Sequence, residues 1–502
     1  MKKIMYSIFT VLNLLILIKT EQMIFAEVYT RHGARSPTDL SKGGEDFINE
    51  TWTDRGELTS VGYRMHYVLG MRNRNRYVKK YKLVSENFDP HELLIFSTEK
   101  NRTILSMVSH LQGLYPIRLY SGDILTDEQV TLSIPPVDIA NEEIETELIR
   151  IANAALPYQM RILPIHTFTK YDKKILNFEL SECSWHMKEL KKKNLAEKES
   201  LKILTKEFND LFKTNLDKFY SNETYDFNWI STLCDSVECG YYHDNNMTKF
   251  FGITGIDKEL LMRKCEIISA INWRDEMYGD DNNEAILFEA SSLLRDMVVY
   301  IKNRVDAEIE GKEIDNNATD YSRPKMVMIL GHDDTMTPQM LFIIKYFNLS
   351  IDIYDLPGFA GQVATEVIRY KEKNANEKLT YADYYVNYYF NDKLFLNTTL
   401  DVFIDTIAKY TWTRAQIEDF CVKKDKLSND SKLKQSSKPA DTTSVNDEKV
   451  QNKGNLKHNL YLYLNISLGF AIALLFIIVI VLTMKIKEIK SNLEAEVDDK
   501  LI

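Results

Sequence analysis

The fold of this chain is decided by the segment MIFAEVYTRHGARSP, residues 23–37. Its first part, residues 23–29, is a short and mostly apolar run, which is typical of a buried β-strand. Two arginines and a histidine follow immediately, at positions 31, 32 and 35. A buried strand that leads straight into charged residues is typical of α/β domains, in which ligands bind beyond the carboxyl ends of the strands. The segment therefore predicts both a strand and a site.

Two further polar clusters also follow apolar runs. The segment STEKNRT, residues 97–103, comes after the run 93–96, and GHDD, residues 331–334, comes after the run 326–330. Apolar residues at helical spacing follow the first two clusters. The alternation predicts an α/β fold with a mostly parallel sheet flanked by helices. It also predicts that all three clusters converge on one pocket.

The middle of the chain, about residues 171–305, has a different pattern. It lacks clear strands and carries long charged stretches that are typical of helices. We therefore expect a smaller, mainly helical insertion domain that caps the sheet domain. Both parts belong to one folded body, which we expect to cover residues 21–421.

Both ends of the chain predict a membrane protein of the secretory pathway. Residues 1–20 join a basic start to a short apolar run, which is typical of a signal peptide; a buried first strand or helix is the alternative. Residues 460–484 are uniformly apolar and long enough for a single transmembrane helix. The polar residues 422–459 predict a disordered stalk. With residues 485–502 as a cytosolic tail, the chain is expected to be a type I single-pass protein.

This topology places the folded body in the lumen of an organelle, such as a lysosome or digestive vacuole, or outside the cell. Several Asn-x-Ser/Thr sequences in that body predict glycosylation. The formal net charge of −10 does not favour nucleic-acid binding. A site for an anionic substrate must therefore be a local basic pocket.

The three clusters hold the residue types that phosphoryl transfer requires. Arg31, Arg35 and Arg102 provide permanently charged forks that match phosphate oxygens. A neutral imidazole such as His32 can attack phosphorus and form a covalent phosphohistidine. The carboxylic acid of Asp333 can protonate the departing alkoxide.

Two neighbouring residues would complete such a site. His332, if cationic, adds a donor to the developing charge, and Gly33 lets a backbone N–H approach an anion closely. No metal ion and no cofactor is required. A lone histidine or arginine is more often structural, but the pattern Arg-His-Gly-x-Arg-x-Pro is expected by chance in roughly one in 10⁴ chains of this length.

The motifs resemble those of the histidine acid phosphatases, the branch of the histidine phosphatase superfamily that includes the lysosomal and prostatic acid phosphatases. The first cluster matches the family signature, and GHD, residues 331–333, matches its His-Asp pair. The segments at 52–62 and 162–167 resemble further family blocks, and the segment 97–103 resembles its arginine-bearing block. The resemblance is scattered over about residues 22–421.

The resemblance implies a role for each matching residue. It implies that His32 is the nucleophile and that Asp333 donates the proton. It implies that the phosphate is bound by four residues, namely Arg31, Arg35, Arg102 and His332. It also implies an α/β domain capped by a smaller helical domain.

The chain departs from the family at several positions. Ala34 and Phe96 stand where many members have an acidic residue and an arginine, and residues 117–156 look like an insertion. The resemblance implies a disulfide between Cys183 and Cys421. Cys234 resembles another bridged position whose usual partner is absent, so a bridge to Cys239 or to Cys265 is open, which leaves one thiol free.

The sequence therefore predicts a phosphomonoesterase that acts at acidic pH on small-molecule phosphomonoesters. A phytase or inositol-polyphosphate phosphatase with the same site is one alternative. A non-catalytic surface receptor that retains the fold is another, although the complete set of predicted catalytic residues argues against it. A homodimer is compatible with the sequence.

Overall fold

The computed structural model describes twelve parts of the chain. They are residues 21–38, 55–116, 124–137, 141–159, 162–168, 190, 199–220, 223–278, 283–311, 324–351, 357–370 and 378–420. The predicted signal peptide, stalk, transmembrane helix and cytosolic tail lie outside these residues. Within the described residues, no helix is both long and apolar enough to cross a membrane.

A single mixed sheet organises the described residues, with the strand order β3-β2-β4-β1-β5-β6-β7. Strands β1 to β4 are mutually parallel, whereas β5, β6 and β7 are joined to β1 and to one another by antiparallel pairing. The strands are β1 Gln22–Arg31, β2 Leu93–Thr98, β3 His166–Phe168, β4 Met326–Gly331, β5 Gln362–Arg369, β6 Tyr384–Phe390 and β7 Lys393–Thr399.

The α/β fold is confirmed, and five of the seven described strands run in the same direction. The antiparallel half of the sheet was not expected, because the sequence analysis predicted only strands that alternate with helices. This half extends the sheet beyond β1. Strand β1 is therefore an interior strand, which is paired with β4 on one side and with β5 on the other.

Strand β1 reads as one apolar run because helices cover both faces of the sheet. Its side chains alternate between the faces. Phe25 and Tyr29 pack in one apolar core, whereas Ala26 and Val28 pack in a second core on the opposite face. All of its residues except Gln22 are buried, and they include Glu27, whose carboxyl group lies inside the protein.

Residues 414–420 are helical, and eleven further α-helices accompany the sheet in the described residues. They are α1 Ser60–Asn73, α2 Asn101–Leu114, α3 Asp127–Leu132, α4 Glu142–Ile151, α5 Glu199–Leu216, α6 Phe227–Tyr241, α7 Asp244–Thr254, α8 Lys258–Tyr278, α9 Glu284–Ile309, α10 Asp333–Tyr346 and α11 Leu400–Tyr410. A π-helical turn, Arg74–Lys80, continues α1. Helices α3 and α4 lie in the segment that looked like an insertion, and neither has a buried residue.

The described part of the region expected to be a helical cap is helical. Helices α5, α6 and α8 share an apolar core of their own, which includes Phe208, Trp229 and Ile268. Helix α9 differs, because its buried side chains belong to the core that contains β1 and β4. The cap core therefore lies in residues 201–271, and α9 is part of the layer of helices on the sheet.

One disulfide joins two helices of this cap core. Cys234 of α6 is bonded to Cys265 of α8, while Cys239 is a free, buried thiol. Of the two partners considered for Cys234, the structure therefore selects Cys265. Cys183 and Cys421, which the family resemblance pairs, lie outside the described residues.

Candidate active site

The three clusters predicted from the sequence meet at the carboxyl ends of β1, β2 and β4. The rings of His32 and His332 lie 5.4 Å apart between their centroids. Arg102 reaches the same place, with its Nη2 atom 3.4 Å from His332 Nδ1. Arg31 Nη2 lies 3.0 Å from a carboxylate oxygen of Asp333. The sheet topology causes this convergence, since parallel strands end at one edge.

Backbone hydrogen bonds fix the segment that carries His32 on both sides. The His32 N–H donates to the carbonyl of Gly331 at 3.0 Å, and the His32 carbonyl accepts from the Ala360 N–H at 3.0 Å. The Arg31 N–H donates to the carbonyl of Gly361 at 2.9 Å. The nucleophile candidate is therefore held by residues far along the chain rather than by its own loop.

Gly33 is required for a different reason from the one expected. A Cβ atom at this position would lie 2.5 Å from the carbonyl oxygen of Gly62, so helix α1 leaves no room for a side chain. The Gly33 N–H donates to Ser106 Oγ at 3.1 Å. A side chain of helix α2 therefore accepts the N–H of Gly33 itself.

The side chain of His32 is prepared for nucleophilic attack. Its Nδ1 atom lies 2.9 Å from the Gly33 carbonyl, which can only accept, so the proton is on Nδ1 and the lone pair is on Nε2. Burial lowers the pKa of His32 well below 6.5, and the charges of Arg31, Arg102 and Arg35 lower it further. The imidazole therefore stays neutral in mildly acidic solution.

Arg31 is buried and has an acidic partner on each terminal nitrogen. Its Nη1 atom donates to Glu238 at 2.9 Å and to the Pro357 carbonyl at 2.9 Å, while Nη2 contacts Asp333 at 3.0 Å. The Phe359 ring lies 4.6 Å from its guanidinium carbon. These contacts fix the orientation of the planar guanidinium, and such a fixed plane suits bidentate recognition of an oxyanion.

Arg35 is held by the cap in the same manner. Its Nη2 atom donates to Asp235 at 2.8 Å, and Nη1 contacts the Ser36 carbonyl at 3.0 Å and Cys239 Sγ at 3.3 Å. Asp235 also accepts from the backbone and hydroxyl of Thr38, at 3.1 and 3.2 Å. One carboxylate of the cap, that of Asp235, therefore holds the segment from Arg35 to Thr38.

Each of the three arginines has one hydrogen-bond donor without an acceptor among the described residues. The Nε–H groups of Arg31, Arg35 and Arg102 are buried and have no acceptor among the described residues. Several other buried arginines share this feature, so it does not mark the site by itself. At this edge, however, the three groups belong to the side chains that are expected to bind the phosphate.

His332 is neutral in this arrangement. Burial and the nearby charge of Arg102 lower its pKa to about 3. Because Arg102 donates to Nδ1, the proton lies on Nε2, which is 3.0 Å from Thr98 Oγ1. The sequence analysis considered a cationic His332. The structure instead gives it the task of orienting Arg102 through its lone pair.

Asp333 begins helix α10 and points back towards the arginines. Burial raises its pKa, but the charges of Arg31 and Arg35 and a hydrogen bond from the Asp334 N–H outweigh burial, and the pKa lies below 3.8. The side chain is therefore a carboxylate until another anion shares the charge of those arginines. Asp334, its neighbour, accepts instead from the hydroxyl of Thr335 at 3.1 Å.

Two carboxylates of the cap, Asp235 and Glu238, contact the site although the sequence did not indicate them. They lie three residues apart on α6, so they share one face of the helix. With 73 Asp and Glu residues in the chain, no local signal distinguishes these two. The positive charge of the predicted pocket implied counter-charges, but it did not indicate their positions.

His66 supports the site from below. It is fully buried, and burial lowers its pKa to about 4, so the imidazole is neutral. Its Nε2 atom lies 3.0 Å from the backbone carbonyl of Arg31 and must donate to it. Within the described residues, no group of three or more His, Cys, Asp or Glu side chains is placed to hold a metal ion.

The sequence of this chain matches the model of a known protein family. The model of the histidine phosphatase superfamily (branch 2) matches residues 22–391. The chain therefore belongs to this family of hydrolases, and the resemblance seen in its motifs is confirmed.

Curated relatives include two acid phosphatases. Lysosomal acid phosphatase of Xenopus laevis is 28% identical over 178 residues, which cover 34% of this chain and 32% of that protein. Prostatic acid phosphatase of Homo sapiens is 24% identical over 379 residues, which cover 74% of this chain and 78% of that protein. The match to the first relative thus spans about a third of its length.

Solved structures of phytases share the fold. The phytase from Citrobacter braakii has a TM-score of 0.51 at 12% identity, and the match covers 78% of this chain and 98% of that chain. The Hafnia alvei phytase in complex with myo-inositol hexakis sulphate has a TM-score of 0.52 at 13% identity, with the same coverage. At such identities the likeness shows the fold alone.

Proposed function

We propose that this protein hydrolyses phosphate monoesters at acidic pH through a covalent phosphohistidine on His32. The observation that carries the proposal is the state of His32. It is buried and neutral, its Nδ1 proton is given to a carbonyl, and its Nε2 lone pair is free for attack. Three arginines surround it, so a phosphoryl group beside Nε2 would be held and neutralised.

The first step forms a bond from Nε2 to phosphorus and breaks the bond from phosphorus to the ester oxygen. The electron pair of that bond stays on the leaving oxygen, and Asp333 in its acid form gives it a proton, so that an alcohol departs. In the second step water attacks phosphorus and passes a proton to the Asp333 carboxylate. The bond from phosphorus to Nε2 then breaks, and phosphate leaves.

The proton on Asp333 needs a source, since Arg31 and Arg35 keep the pKa of the carboxyl low. A phosphate monoester has its second pKa near 6, so below that pH it arrives as a monoanion with one proton. Bound between the arginines, the substrate can pass this proton to Asp333, whose pKa rises once the arginine charge is shared. This supply of protons is the reason for the proposed acidic optimum.

The charge of the neighbouring cavity favours simple monoesters over inositol polyphosphates. A cavity of about 570 Å³ adjoins Arg31, Arg35 and Asp333. Apart from these arginines, its basic side chains are Arg263, paired with Glu266 at 3.1 Å, and Lys393. A substrate with several further phosphates would meet two cations and the carboxylates of α6, which is too little positive charge to neutralise it.

The compartment is part of the proposal. We propose a membrane-tethered protein of the secretory pathway, with the catalytic body in an acidic lumen or outside the cell. The apolar segments at both ends of the sequence support it. The disulfide between Cys234 and Cys265 also supports it, because such bonds persist in oxidising compartments.

The direct test is to trap the intermediate. The full-length chain is mixed at pH 5 with a ³²P-labelled phosphomonoester and denatured within milliseconds in alkaline detergent, in which phosphohistidine survives. Label on the peptide that contains His32 is the expected result. Turnover without any label on that peptide would contradict the mechanism, and the absence of turnover on every monoester would favour the receptor alternative.

A further inference from the structure

The cavity beside the site is placed to receive the leaving group. Asp333, the proposed proton donor, lines it together with Arg31 and Arg35, whereas His32, Arg102 and His332 do not. A leaving alcohol must touch the proton donor and point away from the nucleophile, as in-line displacement requires. The part of the substrate that is not phosphate therefore occupies this cavity.

The charges around the phosphate position are already balanced by the protein. Arg31 pairs with Glu238 and Asp333, and Arg35 pairs with Asp235. Once a phosphate dianion shares the arginines, the two carboxylates of α6 lose their compensation. Their side chains are 22% and 25% exposed and face the cavity, so the place of the leaving group becomes negative.

The rest of the cavity wall suits a cation as well. Four aromatic side chains line it, namely Tyr242, Trp273, Phe390 and Phe395. Lys393 Nζ already lies 5.8 Å from the ring centroid of Phe395, so the other three rings are the ones offered to a ligand cation. Aromatic faces together with carboxylates are the chemistry that binds ammonium groups, and quaternary ammonium above all. A leaving group with its own negative charge would be repelled by the carboxylates of α6, and Lys393 alone would attract it strongly, because Arg263 is paired with Glu266 at 3.1 Å.

We propose that the preferred substrates are zwitterionic phosphate monoesters, in which the alcohol carries an ammonium group, such as the phosphate esters of choline and ethanolamine. This inference rests on the proposed phosphomonoesterase activity and specifies its substrate class. Glu238, Asp235 and the aromatic wall are then the residues that determine specificity. The sheet edge supplies the reaction itself, which is common to all monoesters.

The experiment compares substrates of one shape and different charge. Phosphocholine is set against 3,3-dimethylbutyl phosphate, in which carbon replaces the nitrogen, and against the anionic phosphoglycolate. Phosphate release by the full-length chain at pH 5 gives kcat/KM for each. We expect phosphocholine to exceed its neutral isostere by about tenfold, as one desolvated cation–π contact allows, and phosphoglycolate to be the poorest substrate.

Two variants test which residues cause the preference for phosphocholine over its neutral isostere. Glu238→Gln and Trp273→Leu should each lower the ratio of kcat/KM between phosphocholine and its isostere. This ratio cancels any damage to phosphate binding that both substrates share. The matched control is Asp210→Asn, an exposed carboxylate on α5 that pairs with Lys206 and does not line the cavity. It should leave the ratio and the basal activity unchanged.

The outcomes separate the two proposals. Turnover of p-nitrophenyl phosphate with a ratio at or below one in the unaltered protein overturns the substrate class and leaves the phosphomonoesterase standing. A lack of turnover on every substrate overturns the proposed function itself. The comparison in the unaltered protein is decisive even if a variant fails to fold.

Discussion

The two walls of the candidate site differ in how they are built and in what they contribute. The sheet edge brings histidines and arginines beyond the ends of the strands, and the backbone of His32 is bonded to Gly331 on one side and to Ala360 on the other. The cap brings carboxylates on one helical face of α6, where the side chains remain partly exposed. Under the proposals above, the reaction depends on the sheet edge, called here the fixed wall, and the choice of substrate depends on the cap.

The largest expected effect tests the fixed wall. His32→Ala removes the only group proposed to bond to phosphorus, so kcat should fall at least about 10⁴-fold on every substrate alike. Steady-state phosphate release measures this loss. His91→Ala, a histidine outside the site, is the matched control and should keep full activity. A substrate-dependent loss in His32→Ala would mean that the sheet edge also selects substrates.

The second effect separates two adjacent carboxyl groups. Asp333→Asn should slow alkyl phosphates by about 10² to 10⁴-fold, because their leaving oxygen needs a proton. p-Nitrophenyl phosphate should lose far less, since its leaving group departs as an anion. Asp334→Asn is the neighbouring control and should change both substrates equally and little. Equal large losses in Asp333→Asn would refute the role of proton donor.

The third effect concerns pH. Burial and the three arginines hold the pKa of His32 well below 6.5, so the nucleophile stays unprotonated in more acidic solution than a free imidazole does, and activity should persist below pH 6. Above the second pKa of the substrate, near 6, the monoanion disappears and kcat/KM should fall about tenfold per pH unit. A pH–rate profile measures both limbs. If activity instead falls below pH 6 in the manner of a single protonation, a histidine of the free enzyme becomes cationic there, and the assignment of a neutral His32 is contradicted.

A smaller effect tests the cap, and it has the opposite sign. Asp235→Asn removes a carboxylate that competes for Arg35. The inhibition constant of inorganic phosphate should therefore fall about twofold to fivefold, as expected for a partly exposed ion pair. Competitive inhibition at pH 5 measures it, with Asp210→Asn as the unaffected control. Weaker phosphate inhibition would show that Asp235 mainly orients Arg35.

The smallest effect concerns the stability of the sheet beneath the fixed wall. Burial, together with Asp296, raises the pKa of Glu27 to about 8, so the folded protein keeps this carboxyl protonated. A raised pKa adds stability below the unfolded value of 4.5 and loses it as the pH rises towards 8. The free energy of unfolding should therefore drop between pH 5 and pH 8.

Glu27→Gln isolates this contribution. The variant should lose less stability between these pH values than the unaltered protein, by on the order of 2 kcal/mol. Denaturant unfolding at the two pH values measures it. Glu86→Gln, at an exposed glutamate, should behave like the unaltered protein. Identical pH dependence in all three proteins would mean that Glu27 ionises inside the fold.

The same contrast explains what the sequence could predict. Each sheet-edge residue lies shortly after the end of its own strand, so local patterns were enough to place His32, Arg102 and Asp333 together. The carboxylates of α6 reach the site only through tertiary packing, about 200 positions along the chain from the arginines they contact. Strands β5 to β7 were missed for a similar reason, since their pairing depends on partners rather than on local alternation with helices.

The position of β1 in the sheet sets the order of events during synthesis. This strand is made first, yet it pairs with β4 at Met326–Gly331 and with β5 at Gln362–Arg369. At about 5 to 20 residues per second, the nascent chain waits roughly 15 to 60 s for these partners. His32 therefore cannot act before these two strands have been made, and an apolar strand stays open to chaperones throughout that interval.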